Sequence, residues 1–159
     1  MLLYSCSNFE FVYEKNRENE ILKKLKKEMS YNVEGDDLII LKQLIAEEIG
    51  ISNLMPKFKL DIKSTRSDMN IIKEKDQTAS KIEINHQINY HLKSNIENCT
   101  IIKKRIDSKT TYDSKSSGYN FGSDLSKKEI TKKNIEQNIN KFFTTISNTL
   151  DDLKCNNEN

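Results

Sequence analysis

Breakers of secondary structure are scarce in this chain of 159 residues, which holds four glycines and a single proline. Gly35, Gly50, Gly118 and Gly122 fit neither a dinucleotide-binding fingerprint nor a phosphate loop. So little glycine and proline also excludes collagen-like, proline-rich and linker-type sequences. No apolar run approaches the ~18 residues that a membrane-spanning helix needs. An excess of one charge is missing too. The 26 basic and 24 acidic side chains leave a net charge of +2, and splitting the chain at residue 80 gives halves of −1 and +3. There is no basic arm or acidic tail, so strong nonspecific binding to nucleic acid is not implied.

What fills the chain is lysine, isoleucine and asparagine, a bias that points to AT-rich coding rather than to a function. The length suits one domain, and a chain of this size buries about 68–70% of its unfolded surface. With 35% hydrophobic and 31% charged residues, the core is thin but feasible.

Periodicity supplies the elements. Residues 16–29 are dense in charge, with Ile21, Leu22 and Leu25 at loose helical spacing, and read as either a short helix or a solvated lead-in. Met29, Tyr31 and Val33 share one face of a short strand, which Gly35-Asp36-Asp37 breaks. An aspartate there suits the N-cap of a helix carrying Leu38, Leu41, Ile45 and Ile49 on one face, with Gly50 at its C-terminal end. Phe58, Leu60 and Ile62 alternate with charged neighbours, as in a half-buried strand. After a turn at Lys73–Gln77, six alternations from Ile82 to Leu92 mark the best-patterned strand. Ile102, Ile106 and Tyr112 mark a third long strand, with Gly118 breaking its phase before Tyr119 and Phe121. Ser126-Lys127-Lys128-Glu129 reads as a capping box opening a long helix whose apolar stripe runs from Ile130 to Leu153. The order β-α-β-β-β-α predicts an α+β two-layer sandwich. Its sheet is four-stranded and mostly antiparallel, with both helices on one face.

Near the N-terminus, Leu3-Tyr4-Ser5-Cys6 has the order at which bacterial lipoprotein precursors are cut and their cysteine acylated. Only five residues precede Cys6, fewer than a signal with an apolar stretch requires. Either the apolar stretch lies upstream or Cys6 is an ordinary cysteine. The spacing of Cys99 and Cys155 fits no zinc or redox motif. The plain reading is a buried Cys99 and an unpaired Cys155; the alternative is that the two pair in an oxidising compartment.

Catalytic signatures are lacking. His86 and His91 point to opposite faces of one strand, so they cannot share a metal or a substrate, and His86 reads as a hydrogen-bonded core histidine. The adjacent pairs Asp36-Asp37, Glu47-Glu48 and Asp151-Asp152 need nothing beyond a helix start or a solvated surface. The expectation is a protein that is not an enzyme and needs no cofactor or metal. Helix–strand–strand–strand–helix is also the order of the double-stranded-RNA-binding domain, and Lys127, Lys128, Lys132 and Lys133 invite that comparison. The strands are too long for that compact module, and Glu129 interrupts the lysine run.

Together these features make the chain resemble the LPS-assembly lipoprotein family, LptE, over roughly residues 6–147. The likeness rests on Cys6 at the lipobox position and on Gly35-Asp36-Asp37 leading into the first helix. It extends to Thr78-Ala79 before the long alternating strand, to the polar, aromatic-containing end of the last strand from Ser114 to Leu125, and to the long C-terminal helix. The resemblance divides the chain into a lipobox-like N-terminus with a charged lead-in (1–27), an LptE-like domain (28–153) and a disordered tail (154–159). It implies a lipoprotein anchored through Cys6 in the outer membrane on the periplasmic side. Such a protein plugs the LptD β-barrel, helps that barrel assemble and assists lipopolysaccharide on its way to the cell surface, with Lys73, Lys75 and Lys127 as lipopolysaccharide contacts. The partners implied are the barrel, lipopolysaccharide and the membrane, and not nucleic acid. A different small periplasmic adaptor or secretion chaperone is the alternative reading, and an RNA-binding module stands behind it.

Overall fold

The structure, a computed structural model, describes residues 20–50, 55–73, 79–113, 120–149 and 155. A short helix α1 (residues 20–27) leads into strand β1 (Met29–Gly35), helix α2 (Leu38–Ile49) and the long strands β2 (Phe58–Lys73), β3 (Ala79–Ser94) and β4 (Cys99–Asp113). Helix α3 (Asn120–Asn148) follows. The strands form one sheet in the order β1-β2-β3-β4. The β2–β3 and β3–β4 pairs are antiparallel, as expected from their short connections, whereas β1 runs parallel to β2. That parallel pair follows from α2, because a strand can return in the same direction only through a crossover of this length.

The alternation in β3 does what its sequence predicts. Ile84, His86, Ile88, Tyr90 and Leu92 are buried, while Asn85, Gln87, Asn89 and His91 keep contact with solvent. Leu41, Leu44, Ile45 and Ile49 of α2 join Ile135, Ile139, Phe142, Phe143 and Ile146 of α3 in one core with Leu60, Ile62, Ile88 and Tyr90 of the sheet. Each such side chain removed from water contributes about 1.5–3 kcal/mol. Tyr90 stacks on Phe142 with ring centroids 4.1 Å apart and planes 8° from parallel. Of the open alternatives at the N-terminal lead-in, the helix is the one that forms. Leu25 of α1 is buried in the core, and Lys26 pairs with Glu48 of α2 at 2.5 Å and lies 4.6 Å above the ring of Phe143. A register shift after Leu92 inserts Ile101 as an extra residue opposite β3. Ile101 is therefore buried beside Ile102, which packs partly buried against the same core.

Gly35 is required by its surroundings. Its φ is +101°, and a Cβ there would lie 2.0 Å from the carbonyl oxygen of Ser64, its register partner in β2. Gly50 ends α2 at φ +77°, its N–H bonded to the Ala46 carbonyl at 2.9 Å, as the sequence suggested.

Four sequence expectations need correction. Helix α3 starts at Asn120, so Ser126 is an exposed residue inside the helix and Ser126–Glu129 is not a capping box. A capping serine needs a non-helical backbone, which the preceding helical turns deny it. For the same reason Asn120–Leu125 does not continue the last strand, which ends at Asp113, and Phe121 is helical. Asp37 occupies the N-cap position of α2, but its side chain caps nothing and its backbone is left-handed at φ +53°. Finally, Cys99 is only half-buried, and Cys155 is not unpaired: the two are joined as a disulfide with Cα atoms 5.6 Å apart. The turn around Gln77 and the expected break at Gly118 lie outside the described residues.

Candidate functional site

Because α2 and α3 cover one face of the sheet, alternate residues of every strand point away from them into solvent. Cross-strand register sets these residues in rows. Glu34, Lys63, Asn89 and Arg105 form one row; Asn32, Asp61, His91 and Lys103 the next; and Ser30, Lys59, Lys93 and Thr100 a third. Together these rows carry the five cations Lys59, Lys63, Lys93, Lys103 and Arg105 against two carboxylates, Glu34 and Asp61. The first two rows and Lys59 line an open concavity of about 680 Å³.

The acids do not cancel the bases evenly. Asp61 takes Lys59 at 3.2 Å and Lys93 at 3.0 Å. Burial pushes its carboxyl up, but hydrogen bonds from Lys93 and Lys59 outweigh this and hold it below the ordinary value. Arg105 makes only a loose, exposed pair with Asp107 at 3.6 Å. Among the described residues no carboxylate pairs with Lys63 or Lys103. His91 engages Thr100 Oγ1 at 2.8 Å. The face is therefore polar and basic, and its concavity is open, which suits broad contact with an acidic or polar surface rather than enclosing a small molecule.

On the helix side a hydrogen-bonded seam crosses the core. Tyr90 Oη donates to Asn138 Oδ1 at 2.9 Å, and burial pushes its phenol far above the ordinary value. The Asn138 amide in turn donates to the Ile106 carbonyl at 2.9 Å and to Ser108 Oγ at 3.0 Å. One helical turn earlier, Asn134 Nδ2 faces the carbonyls of Ile84 and Ser108, each at 3.3 Å, and His86 Nδ1 at 3.2 Å. An amide nitrogen only donates, so Nδ1 accepts and the proton sits on Nε2, which points at Asp37 Oδ2 across 2.8 Å. His86 is fully buried, as its place on the apolar face predicts, and with both ring nitrogens engaged it is built as a structural group.

Asp37 carries the seam to the surface. Arg66 Nη1 reaches both of its carboxylate oxygens at 3.3 Å, and Arg66 grips Asp68 through Nε at 2.6 Å and Nη2 at 2.9 Å. Those bonds to Asp68, ahead of the charge of Asp37, raise the guanidinium above its ordinary value despite partial burial. Asp36 accepts from the Arg66 backbone N–H at 2.8 Å. Lys127 of α3 ends the chain of contacts at Asp68, 3.1 Å away.

Of the residues singled out from sequence, Lys127 is thus placed on α3 with its ammonium in a partly exposed ion pair with Asp68. Lys73 is the last residue of β2, while Cys6 and Lys75 lie outside the described residues. Sequence reasoning missed Arg66, Asn134, Asn138 and the cation rows. One signal was available: Asn134 and Asn138 interrupt the apolar stripe of α3 at i, i+4 spacing, facing the strand that carries His86.

No family profile matches the chain, and no curated protein matches it by sequence. Solved structures do match in fold. A protein of Caulobacter crescentus described as a lipoprotein superposes with a TM-score of 0.63 at 14% identity, covering 85% of this chain and 98% of its own. Rare lipoprotein B of Shewanella oneidensis gives 0.60 at 9% identity, over 77% of this chain and 97% of its own. Lipoprotein B of Nitrosomonas europaea gives 0.57 at 10% identity, over 77% and 84%. At these identities the likeness is one of fold: the chain is built like several small bacterial lipoproteins.

Proposed function

We propose that this protein is a lipid-anchored, non-enzymatic component of the outer-membrane lipopolysaccharide translocon, seated in the LptD barrel from the periplasmic side. The observation that carries the reading is the fold shared with rare lipoprotein B and related lipoproteins, joined to the Leu3-Tyr4-Ser5-Cys6 sequence. Diacylglycerol on the Cys6 thiol would supply the anchor. The Cys99–Cys155 disulfide supports an oxidising compartment, because such bonds persist in exported proteins and are rare in a reduced cytosol. The helix-free sheet face supports the plug role. It offers many polar groups on a rigid frame, which suits a barrel wall better than a deep ligand site would.

Lys73, Lys75 and Lys127 are the lipopolysaccharide contacts this reading assigns. Lys127 adds a condition, since a lipid phosphate must compete with Asp68 for its ammonium. The test is purification of a C-terminally tagged chain from outer membranes. The expected result is a large β-barrel recovered in equal amount, together with radiolabelled palmitate incorporation that Cys6→Ala removes. Recovery in the soluble periplasmic fraction without a barrel would overturn the assignment in favour of an adaptor.

A further inference from the structure

The β3–β4 turn brings together three atoms that commonly bind metals. The sulfurs of Cys99 and Cys155 and a carboxylate oxygen of Glu97 all lie within 4.8 Å of one another. Glu97 Oε2 is 3.8 Å from Cys99 Sγ and in close contact with Cys155 Sγ. Among the described residues no lysine or arginine pairs with this carboxylate, so an anionic group faces two sulfurs with no counterion. The turn that carries Glu97 is fixed at its β3 end. The Asn95 N–H and side-chain amide each bond at 2.8 Å to the carbonyls of Lys57 and Pro56, and the Glu97 N–H donates to Ser94 Oγ at 3.1 Å. Glu97 is exposed and both cysteines are half-buried, so a reductant, a metal ion and water can reach the group.

We propose that this cluster is a redox-gated zinc site. In the oxidised protein the sulfurs are joined and the site is closed to metal. An external dithiol opens it by delivering two electrons and two protons: the S–S bond breaks, Cys99 and Cys155 become thiols, and the dithiol becomes a disulfide. When Zn²⁺ binds, the two thiols release their protons to solvent, and two thiolates, the Glu97 carboxylate and a water complete a tetrahedron. A Cα separation of 5.6 Å accommodates the disulfide, and small rotations about the cysteine side chains spread the sulfurs enough to share one ion. Thiolates beside a carboxylate suit zinc better than magnesium or calcium, which prefer oxygen alone. Oxidised or zinc-bound, Cys155 stays linked to the β3–β4 turn; only the reduced, metal-free protein releases it.

The experiment uses the full chain, reduced with a metal-free phosphine and then titrated with Co²⁺ and Zn²⁺ while circular dichroism follows the fold. The expected result is a thiolate-to-cobalt charge-transfer band that saturates at one ion per chain and disappears when Zn²⁺ is added. The oxidised protein should show no band. Cys155→Ser should abolish it, and Glu97→Gln, a change confined to an exposed side chain, should weaken affinity roughly tenfold or more. No saturating band in reduced protein that keeps its fold overturns the proposal. Equal affinity in wild type and Glu97→Gln does so too, because the carboxylate would then be no ligand. If reduction unfolds the chain, Zn²⁺ must restore the fold, and failure to do so counts equally against the site.

Discussion

His86 and Asp37, 49 residues apart in sequence, meet across 2.8 Å where the start of α2 faces the middle of β3. The contact explains why Asp37 leaves the N-cap bond of α2 unmade. Its carboxylate turns inward to the imidazole N–H and to Arg66, and so ties the β1–α2 junction to β2 and β3. Replacing Asp37 with Ser, itself a good capping residue, should therefore not rescue stability. Urea unfolding should show a loss of about 1–3 kcal/mol. In a double-mutant cycle with His86→Ala, the coupling should be about 1–3 kcal/mol. A coupling near zero would show that the pair contributes nothing beyond its separate parts.

The two described glycines with positive φ should respond differently to alanine. At Gly35 the new methyl meets the Ser64 backbone, and neither strand can move without breaking the parallel pair. Gly35→Ala should cost about 2–5 kcal/mol, combining left-handed strain with overpacking. Gly50 has nothing within 4 Å of the built position, so Gly50→Ala should cost only the strain, about 1–2 kcal/mol. Comparable melting temperatures for the two variants would contradict this geometry.

Acid should weaken the Arg66–Asp68–Lys127 cluster. Hydrogen bonds from Arg66, and with them those from Lys127, depress the Asp68 carboxyl against partial burial. A depressed folded-state value means that the contribution is complete above the unfolded aspartate value, near pH 3.9, and is lost as pH falls through the lower folded value. Because Asp68 is largely solvated, its share should not exceed about 1 kcal/mol. Asp68→Asn should flatten that part of the stability profile between pH 5 and pH 2 (a range set by the ordinary aspartate value). An unchanged slope would mean that other carboxylates dominate.

Removing the disulfide should be costly in metal-free buffer. Cys99→Ser frees a loop spanning 56 residues and should lower stability by about 2–4 kcal/mol. Hydrogen exchange should rise first near the β3–β4 turn and the C-terminal end of α3. Uniform exchange across the sheet instead would place the effect elsewhere.

Much of the fold was readable because it is local. The period-two run from Ile82 to Leu92 and the helical stripe from Ile135 to Ile146 place their apolar residues on one face whatever the rest of the chain does. His86 fell on that face and is buried there. The start of α3 was misread because Ser126-Lys127-Lys128-Glu129 is as compatible with a helix interior as with a helix cap, and only the preceding backbone distinguishes them. The candidate site was less legible still. The cation rows arise from register across four strands, and no single segment contains them.

The sequence by itself thus determined the types and order of the elements, the side of each that faces inward, and the α+β layering, since these depend on spacings of two to four residues. The tertiary structure decided which partners meet: β1 parallel to β2, Asp37 with His86 and Arg66 instead of its own helix, Asn134 and Asn138 with the sheet, and Cys99 with Cys155. Each of these contacts closes a long stretch of chain. Its free energy therefore depends on the packing of everything between, which no local pattern records.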